Sequence, residues 1–315
     1  MTSSVSIKTR KELKGTAHLL PASKSISNRV LIMDALSGNR SVLHNLSDAN
    51  DTQLMLRLVR SAENKIDVED AGTTMRFLTA YFSITGKEKL ITGTHRMKER
   101  PIGILVEALR TLGADIVYTE KEGYPPLQLR GFKGQQTNLV KIRGDVSSQF
   151  ISALMMVGPT LPLGLSLELQ GRIGSRPYIE MTAALMSHFG VESSFEGNRI
   201  EILPQAYRPA EFTVESDWSA ASYWFAFTSL AADADILLPR ISLDSLQGDR
   251  AIVDIMKSLG VDARMEGDLL RLSKVEAGNS IRWDFTHCPD LAQTVAVVCA
   301  AKGIEGTFTG LESLR

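Results

Sequence analysis

Three stretches of this chain share one pattern, and that pattern restricts the fold more than any other feature. Residues 104–112, 180–189 and 251–259 each place apolar side chains at i, i+3 and i+4, the spacing of an amphipathic helix. Each run closes on a glycine suited to a left-handed C-cap: Gly113, Gly190 and Gly260, 77 and 70 residues apart. A short β-like run follows each glycine. Residues 51–67 read as a weaker copy without the glycine. One helix–glycine–strand passage is commonplace. Three at near-equal spacing predict a repeated α/β unit, with helices packed against sheets. Residues 5–7, 116–118 and 199–203 read as short strands, and 161–164 and 204–209 as turns.

At 315 residues the chain is long enough for two domains. A break is expected near 214–217, where Asp217 can cap the apolar helix that follows. Net charge is −1, which argues against bulk attraction to nucleic acid or an anionic membrane. The two cysteines, Cys288 and Cys299, suit a reducing compartment, and a cytoplasmic setting is expected. No secretory signal is read at the N-terminus, and the apolar run 291–301 is too short to span a bilayer. No pair among the five histidines has metal-ligand spacing, and no nucleotide-binding glycine motif is present.

The chemistry concentrates at predicted helix starts. Leu20-Pro21-Ala22-Ser23-Lys24-Ser25-Ile26-Ser27-Asn28-Arg29 runs into an apolar segment, so Pro21 ends one element and Ser23 or Ser25 can cap the next. A helix N-terminus offers unpaired N–H groups and partial positive charge, and Lys24 and Arg29 add full charges. Gly72-Thr73-Thr74 opens a second such helix. Arg96-Met97-Lys98-Glu99-Arg100-Pro101 crowds three cations into five residues, with Pro101 expected at the first position of the next helix. Ser147-Ser148-Gln149 and Ser175-Arg176-Pro177-Tyr178 repeat the theme. Each start alone also fits plain capping or a solvated turn. Together they predict a cleft that holds more than one anionic group. Asp290, after Pro289 and before an apolar helix, is the carboxylate expected to face it, with capping as its ordinary alternative.

These motifs, in this order, resemble the 5-enolpyruvylshikimate-3-phosphate synthase family. Ser23 to Arg29 is similar to its N-terminal signature, Ala71 to Arg76 to its glycine-rich segment, and Arg96 to Gly103 to its R-M-K-E-R-P-I-G motif. Ser147 to Gln149, Ser175 to Tyr178, Asp217 to Tyr223 and Pro289-Asp290 follow. The resemblance implies a two-domain inside-out α/β barrel built from βαβαββ units. Residues 20–215 would form the first domain, with the shikimate 3-phosphate half-site. Residues 1–19 and 216–315 would form the second.

It also implies a reaction between phosphoenolpyruvate and shikimate 3-phosphate, without cofactor or metal, in a monomer. By resemblance, Lys24 bridges both substrates, and Ser25 and Arg29 hold the shikimate carboxylate. Ser147, Ser148 and Ser175 bind the phosphate of shikimate 3-phosphate, and Tyr178 lines the ring. Gly72, Arg100 and Gln149 hold the phosphoenolpyruvate phosphate, and Asp290 assists proton transfer. Two positions depart from the usual pattern: Asp70 stands where many members have asparagine, and Phe77 where many have proline. The family continues past the position of Arg315 into V-K-E-T-D-R, so an incomplete second domain is expected. Two alternatives stand beside this reading: transfer of enolpyruvyl to UDP-N-acetylglucosamine, and a phosphate-ester binding fragment without turnover.

Overall fold

The structure is a computed structural model and describes residues 10–18 and 20–314. The strand expected at residues 5–7 lies outside the described residues. The chain divides into two compact units. One takes in Ala22–Val214; the other joins the N-terminal segment through Pro21 to the chain from Glu215 onward. Each has its own apolar core.

In the Ala22–Val214 unit the helices are α1 (Lys24–Leu36), α2 (Asn50–Leu58), α3 (Gly72–Ile84), α4 (His95–Lys98), α5 (Gly103–Leu112), α6 (Ser148–Val157) and α7 (Arg176–His188). Three of them are buried nearly all round, polar residues included, and so lie inside the unit. Ile26 to Ala35 of α1 are buried, as is every residue of α3 except Arg76. In α6 burial runs from Phe150 to Val157. These helices pack on one another, and the sheets carry the outside. Leu139–Arg143 alternates exposed and buried residues, the signature of a strand with one wet face. Helices within and sheets without is the inside-out arrangement.

Two sheets of this unit share one topology. Lys65–Asp67, Lys89–Thr92, Leu127–Phe132 and Ala114–Tyr118 lie in that spatial order, one parallel pairing followed by two antiparallel ones. Leu139–Arg143, Leu165–Gln170, Arg199–Ile202 and Ser194–Glu196 repeat it. With their helices these are βαβαββ units. A two-stranded parallel pair, Val42–His44 with Glu211–Thr213, completes the unit's strands.

The second unit contains α8 (Trp218–Leu230), α9 (Ile252–Ser258) and α10 (Ala292–Lys302). Its four-stranded sheet has the same topology a third time: Glu12–Thr16 parallel to Asp233–Pro239, then Leu269–Lys274 and Val261–Glu266. Ser280–Asp284 and Glu305–Thr309 form a parallel pair around α10.

The glycines that mark the repeat are left-handed as expected, at φ 115° for Gly113, 79° for Gly190 and 94° for Gly260. Gly303, at φ 65° after α10, is a further cap that the periodicity did not reveal. His95–Lys98, to which the sequence assigned no element, is a helical turn capped by Thr94. One local expectation changes. Pro101 does not open α5, which begins at Gly103. The amides of Ile102 and Gly103 are both tied to the Gly123 carbonyl, and this holds the chain off the helix for two more residues.

Candidate active site

At the start of α1 the Ser23 hydroxyl accepts from the Ile26 amide at 3.4 Å. Lys24 is thereby set at the mouth of the helix, exposed, with Nζ 4.0 Å from the Asp51 carboxylate. Ser25 is half-buried, and its carbonyl accepts from Arg29 Nη1 at 2.8 Å. Arg29 itself is only 2% exposed. Its Nε donates to Thr182 Oγ1 at 2.8 Å and its Nη2 to Ser152 Oγ at 3.1 Å. The Phe77 and Tyr178 rings flank its guanidinium, with centroids 5.5 and 5.9 Å from Cζ. Burial lowers Arg29 to about 10, which leaves it charged at neutral pH. Three of its five N–H donors are thus engaged within the unit, and they fix the plane of the fork.

Gly72 is the first residue of α3, and Ala71 before it provides no side-chain cap. The first-turn N–H groups of α3 therefore need other acceptors. Two cations close over them. A Cβ added to Gly72 would lie 2.5 Å from Arg100 Nη1 and 2.7 Å from Arg76 Nη1. Arg76 Nη1 donates to Gln149 Oε1 at 2.9 Å, and Gln149 Nε2 donates to Thr73 Oγ1 at 3.2 Å. Burial, then the charge of Arg100, lowers Arg76 to about 10. Two guanidiniums over an uncapped helix start make an anion cradle. Asp70, one of the departures from the usual pattern, accepts a hydrogen bond from the Thr94 hydroxyl and so ties the loop before α3 to the cap of α4.

Ser147 sits exposed at the cap position of α6, yet its side chain makes no capping bond; Ser148 beside it is buried. Ser175 holds the cap position of α7 at φ 50°, a left-handed conformation uncommon for serine, also without a side-chain cap. Plain capping, then, describes Ser23 at α1 and Asp217 at α8 but not Ala71, Ser147 or Ser175. Tyr178 stands in the first turn of α7, and its carbonyl accepts from the Thr182 hydroxyl at 2.7 Å.

The structure thus joins Ser25, Arg29 and Tyr178 into one contact network, and Gly72, Arg100 and Gln149 into another. Phe77 of α3 links the two through its contact with Arg29. The sequence reading missed Arg76, Ser152 and Thr182. Each sits one helical turn inside a predicted start, at i+4 from Gly72, i+3 from Gln149 and i+4 from Tyr178, a spacing that puts it on the same face.

In the second unit Asp290 lies exposed in the short turn Pro289–Leu291 ahead of α10. Leu291 holds the cap position there, so Asp290 is not the cap. Asp249 is an unforeseen neighbour. It is 3% exposed; one carboxylate oxygen accepts from the Ser219 hydroxyl, and the other is buried without a hydrogen-bond partner among the described residues. Burial, with Asp290 and Asp217 nearby, pushes it up to about 7.

The motifs and the repeat have counterparts in known proteins. The family model described as EPSP synthase (3-phosphoshikimate 1-carboxyvinyltransferase) matches residues 7–69 and 60–315. A 3-phosphoshikimate 1-carboxyvinyltransferase of Bacteroides fragilis is 47% identical over 306 residues, covering 96% of this chain and 74% of its own length. The enzyme of that name from Neisseria meningitidis serogroup B is 36% identical over 344 residues, covering 100% of this chain and 79% of its own. A solved EPSP synthase from Acinetobacter baumannii shares the fold at a TM-score of 0.75 and 19% identity, covering 96% of this chain and 75% of that one. These matches do not favour a UDP-N-acetylglucosamine transferase. A fold of repeated βαβαββ units, helix starts that gather cations and hydroxyls, and identity of this extent across nearly the whole chain lead to one conclusion: the chain belongs to the EPSP synthase (3-phosphoshikimate 1-carboxyvinyltransferase) family.

Proposed function

We propose that this chain transfers the enolpyruvyl group of phosphoenolpyruvate to the 5-hydroxyl of shikimate 3-phosphate, a step of aromatic amino-acid biosynthesis. The hydroxyl oxygen bonds to C2 of phosphoenolpyruvate while C3 takes a proton. The tetrahedral adduct then loses phosphate from C2 and a proton from C3, which gives the enol ether. The observation that carries the reading is the cradle at Gly72, where Arg100, Arg76 and Gln149 surround an uncapped helix start. Such a place suits a phosphate better than any neutral group.

The remaining roles are those that the family resemblance implies. Gly72, Arg100 and Gln149 take the phosphoenolpyruvate phosphate. Lys24, at the mouth of α1, touches both substrates. Ser25 and Arg29 take the shikimate carboxylate, and Arg29 enters the reaction already oriented by Thr182 and Ser152. Ser147, Ser148 and Ser175 take the phosphate of shikimate 3-phosphate, supported by hydroxyls that are not spent on capping. Tyr178 lines the ring. Asp290 is the proton-transferring carboxylate. On this reading the Ala22–Val214 unit is the shikimate 3-phosphate domain, and the unit from Glu215 onward is the second domain. We place the chain in the cytoplasm as a monomer; the two free thiols fit a reducing compartment. Among the described residues no helix is long and apolar enough to cross a membrane.

The test is a phosphate-release assay with both substrates, with the enol ether identified in parallel. Lys24→Met should keep the fold and lower kcat/KM by roughly two to three decades, the usual cost of a charge-assisted contact in a transition state. A variant with near wild-type kcat/KM removes Lys24 from the chemistry.

A further inference from the structure

Arg76 is one of the two guanidiniums over Gly72, yet the roles above give it no substrate group of its own to hold. It interrupts an otherwise wholly buried helix, stacks on the Phe150 ring with its centroid 5.3 Å from Cζ, and aims one nitrogen at Gln149. Its Nε is buried without a partner among the described residues. A cation placed beside a second guanidinium at the cost of desolvation demands a reason.

We infer that Arg76 is a positioning residue that fixes which end of the Gln149 amide faces the phosphoenolpyruvate phosphate. A guanidinium has only donors, so the amide must turn its carbonyl Oε1 toward Arg76. The NH2 end then points the other way, toward Thr73 at the start of α3. That end is a donor, and the cradle beside Gly72 calls for donors. Without Arg76 the amide is free to flip and set a carbonyl oxygen against the phosphate. Arg76 thus acts on the substrate through Gln149, with a smaller direct share from its charge. The Phe150 ring beneath its guanidinium helps hold the nitrogen in place.

This inference rests on the assignment of the Gly72 cradle to a phosphate. The experiment is calorimetric titration of the 315-residue chain with phosphoenolpyruvate at saturating shikimate 3-phosphate, and with shikimate 3-phosphate alone. Arg76→Met, Arg76→Lys, Gln149→Ala and the Arg76→Met/Gln149→Ala pair are compared with the wild type. Arg76→Met should weaken phosphoenolpyruvate by about tenfold or more, in line with loss of a charge-assisted hydrogen bond, and leave shikimate 3-phosphate within about twofold. Arg76→Lys should recover part of the loss. In the Gln149→Ala background, Arg76→Met should cost little more, because its partner is already gone.

Fully additive losses, an unchanged phosphoenolpyruvate affinity, or equal losses for both ligands would each overturn the inference. Should Arg76→Met not fold, Arg76→Lys carries the test, since it keeps the charge but loses the planar fork; an affinity equal to wild type then overturns it. A wild-type chain that takes up neither substrate defeats the functional reading instead. The same variants titrated with inorganic phosphate then decide the role of Arg76 on the same criteria.

Discussion

Burial acts on the charged side chains of this protein in opposite directions according to what meets them. Arg29 is desolvated but finds a carbonyl, two hydroxyls and two rings, and it stays a cation. Asp249 is desolvated with one hydroxyl and two neighbouring carboxylates, and it holds its proton up to about 7. That has a consequence for stability. The folded chain binds this proton more tightly than an unfolded chain, whose aspartate titrates near 3.8. Between those two values the folded state carries more protons, so stability falls as pH rises through the interval. Asp249→Asn removes the titration and should remove the slope. The unfolding free energy of the variant, from denaturant titration, should gain on the wild type by roughly 2–4 kcal/mol between about pH 4 and pH 8. Parallel pH profiles for the two proteins would show that Asp249 ionises freely in the fold.

At the scale of elements, the glycine caps separate two costs that usually travel together. Gly113 and Gly303 are both left-handed, so a Cβ strains the backbone at either. Around Gly303 the added atom meets nothing within 4 Å, whereas at Gly113 it would collide with the backbone carbonyl of Gly134. Gly303→Ala should therefore cost about 1 kcal/mol, and Gly113→Ala roughly 3 kcal/mol or more, in chemical denaturation. Equal costs would mean that the close approach to Gly134 relaxes freely.

The same caps show what a sequence makes visible. Helix period and a left-handed glycine are local, so α5, α7 and α9 could be read directly. Of the exposed positions of α10 only Gln293 is polar, the others being Ala296, Val297, Ala300 and Ala301, so no polar stripe marked its period and Gly303 went unnoticed. Helix starts rich in hydroxyls and cations were legible for the same local reason. Arg76, Ser152 and Thr182 were not. Their meaning depends on which helix packs on which, and Arg29 and Thr182 lie 153 residues apart. Sheet order is likewise non-local: nothing in residues 12–16 names Asp233–Pro239 as their partner.

For the whole molecule, that last pairing decides how the chain comes apart. The strand Glu12–Thr16 forms one edge of the sheet in the Glu215-onward unit, in register with residues 233–237. Its neighbours add to the hold: the Ala17 amide donates to the Leu237 carbonyl at 2.9 Å, the Ala232 amide to the Lys11 carbonyl at 2.8 Å, and Lys14 pairs with Asp233. Leu13 and Ala17 pack against that unit's core. A chain that starts at Ala17 loses this ladder and leaves the Asp233–Pro239 edge open. It should lose about 3 kcal/mol or more in that unit, from five ladder residues and their packing.

The Ala22–Val214 unit has a separate core and should not notice. The protein supplies its own probe, because all three tryptophans, Trp218, Trp224 and Trp283, lie in the Glu215-onward unit. In urea, tryptophan fluorescence of the shortened chain should unfold at a lower midpoint than in the full chain. Far-UV circular dichroism should keep a second transition at the original midpoint, from α1, α3 and α6. If both signals shift together by the same amount, the two units unfold as one cooperative body, and their separate cores do not give them separate stabilities.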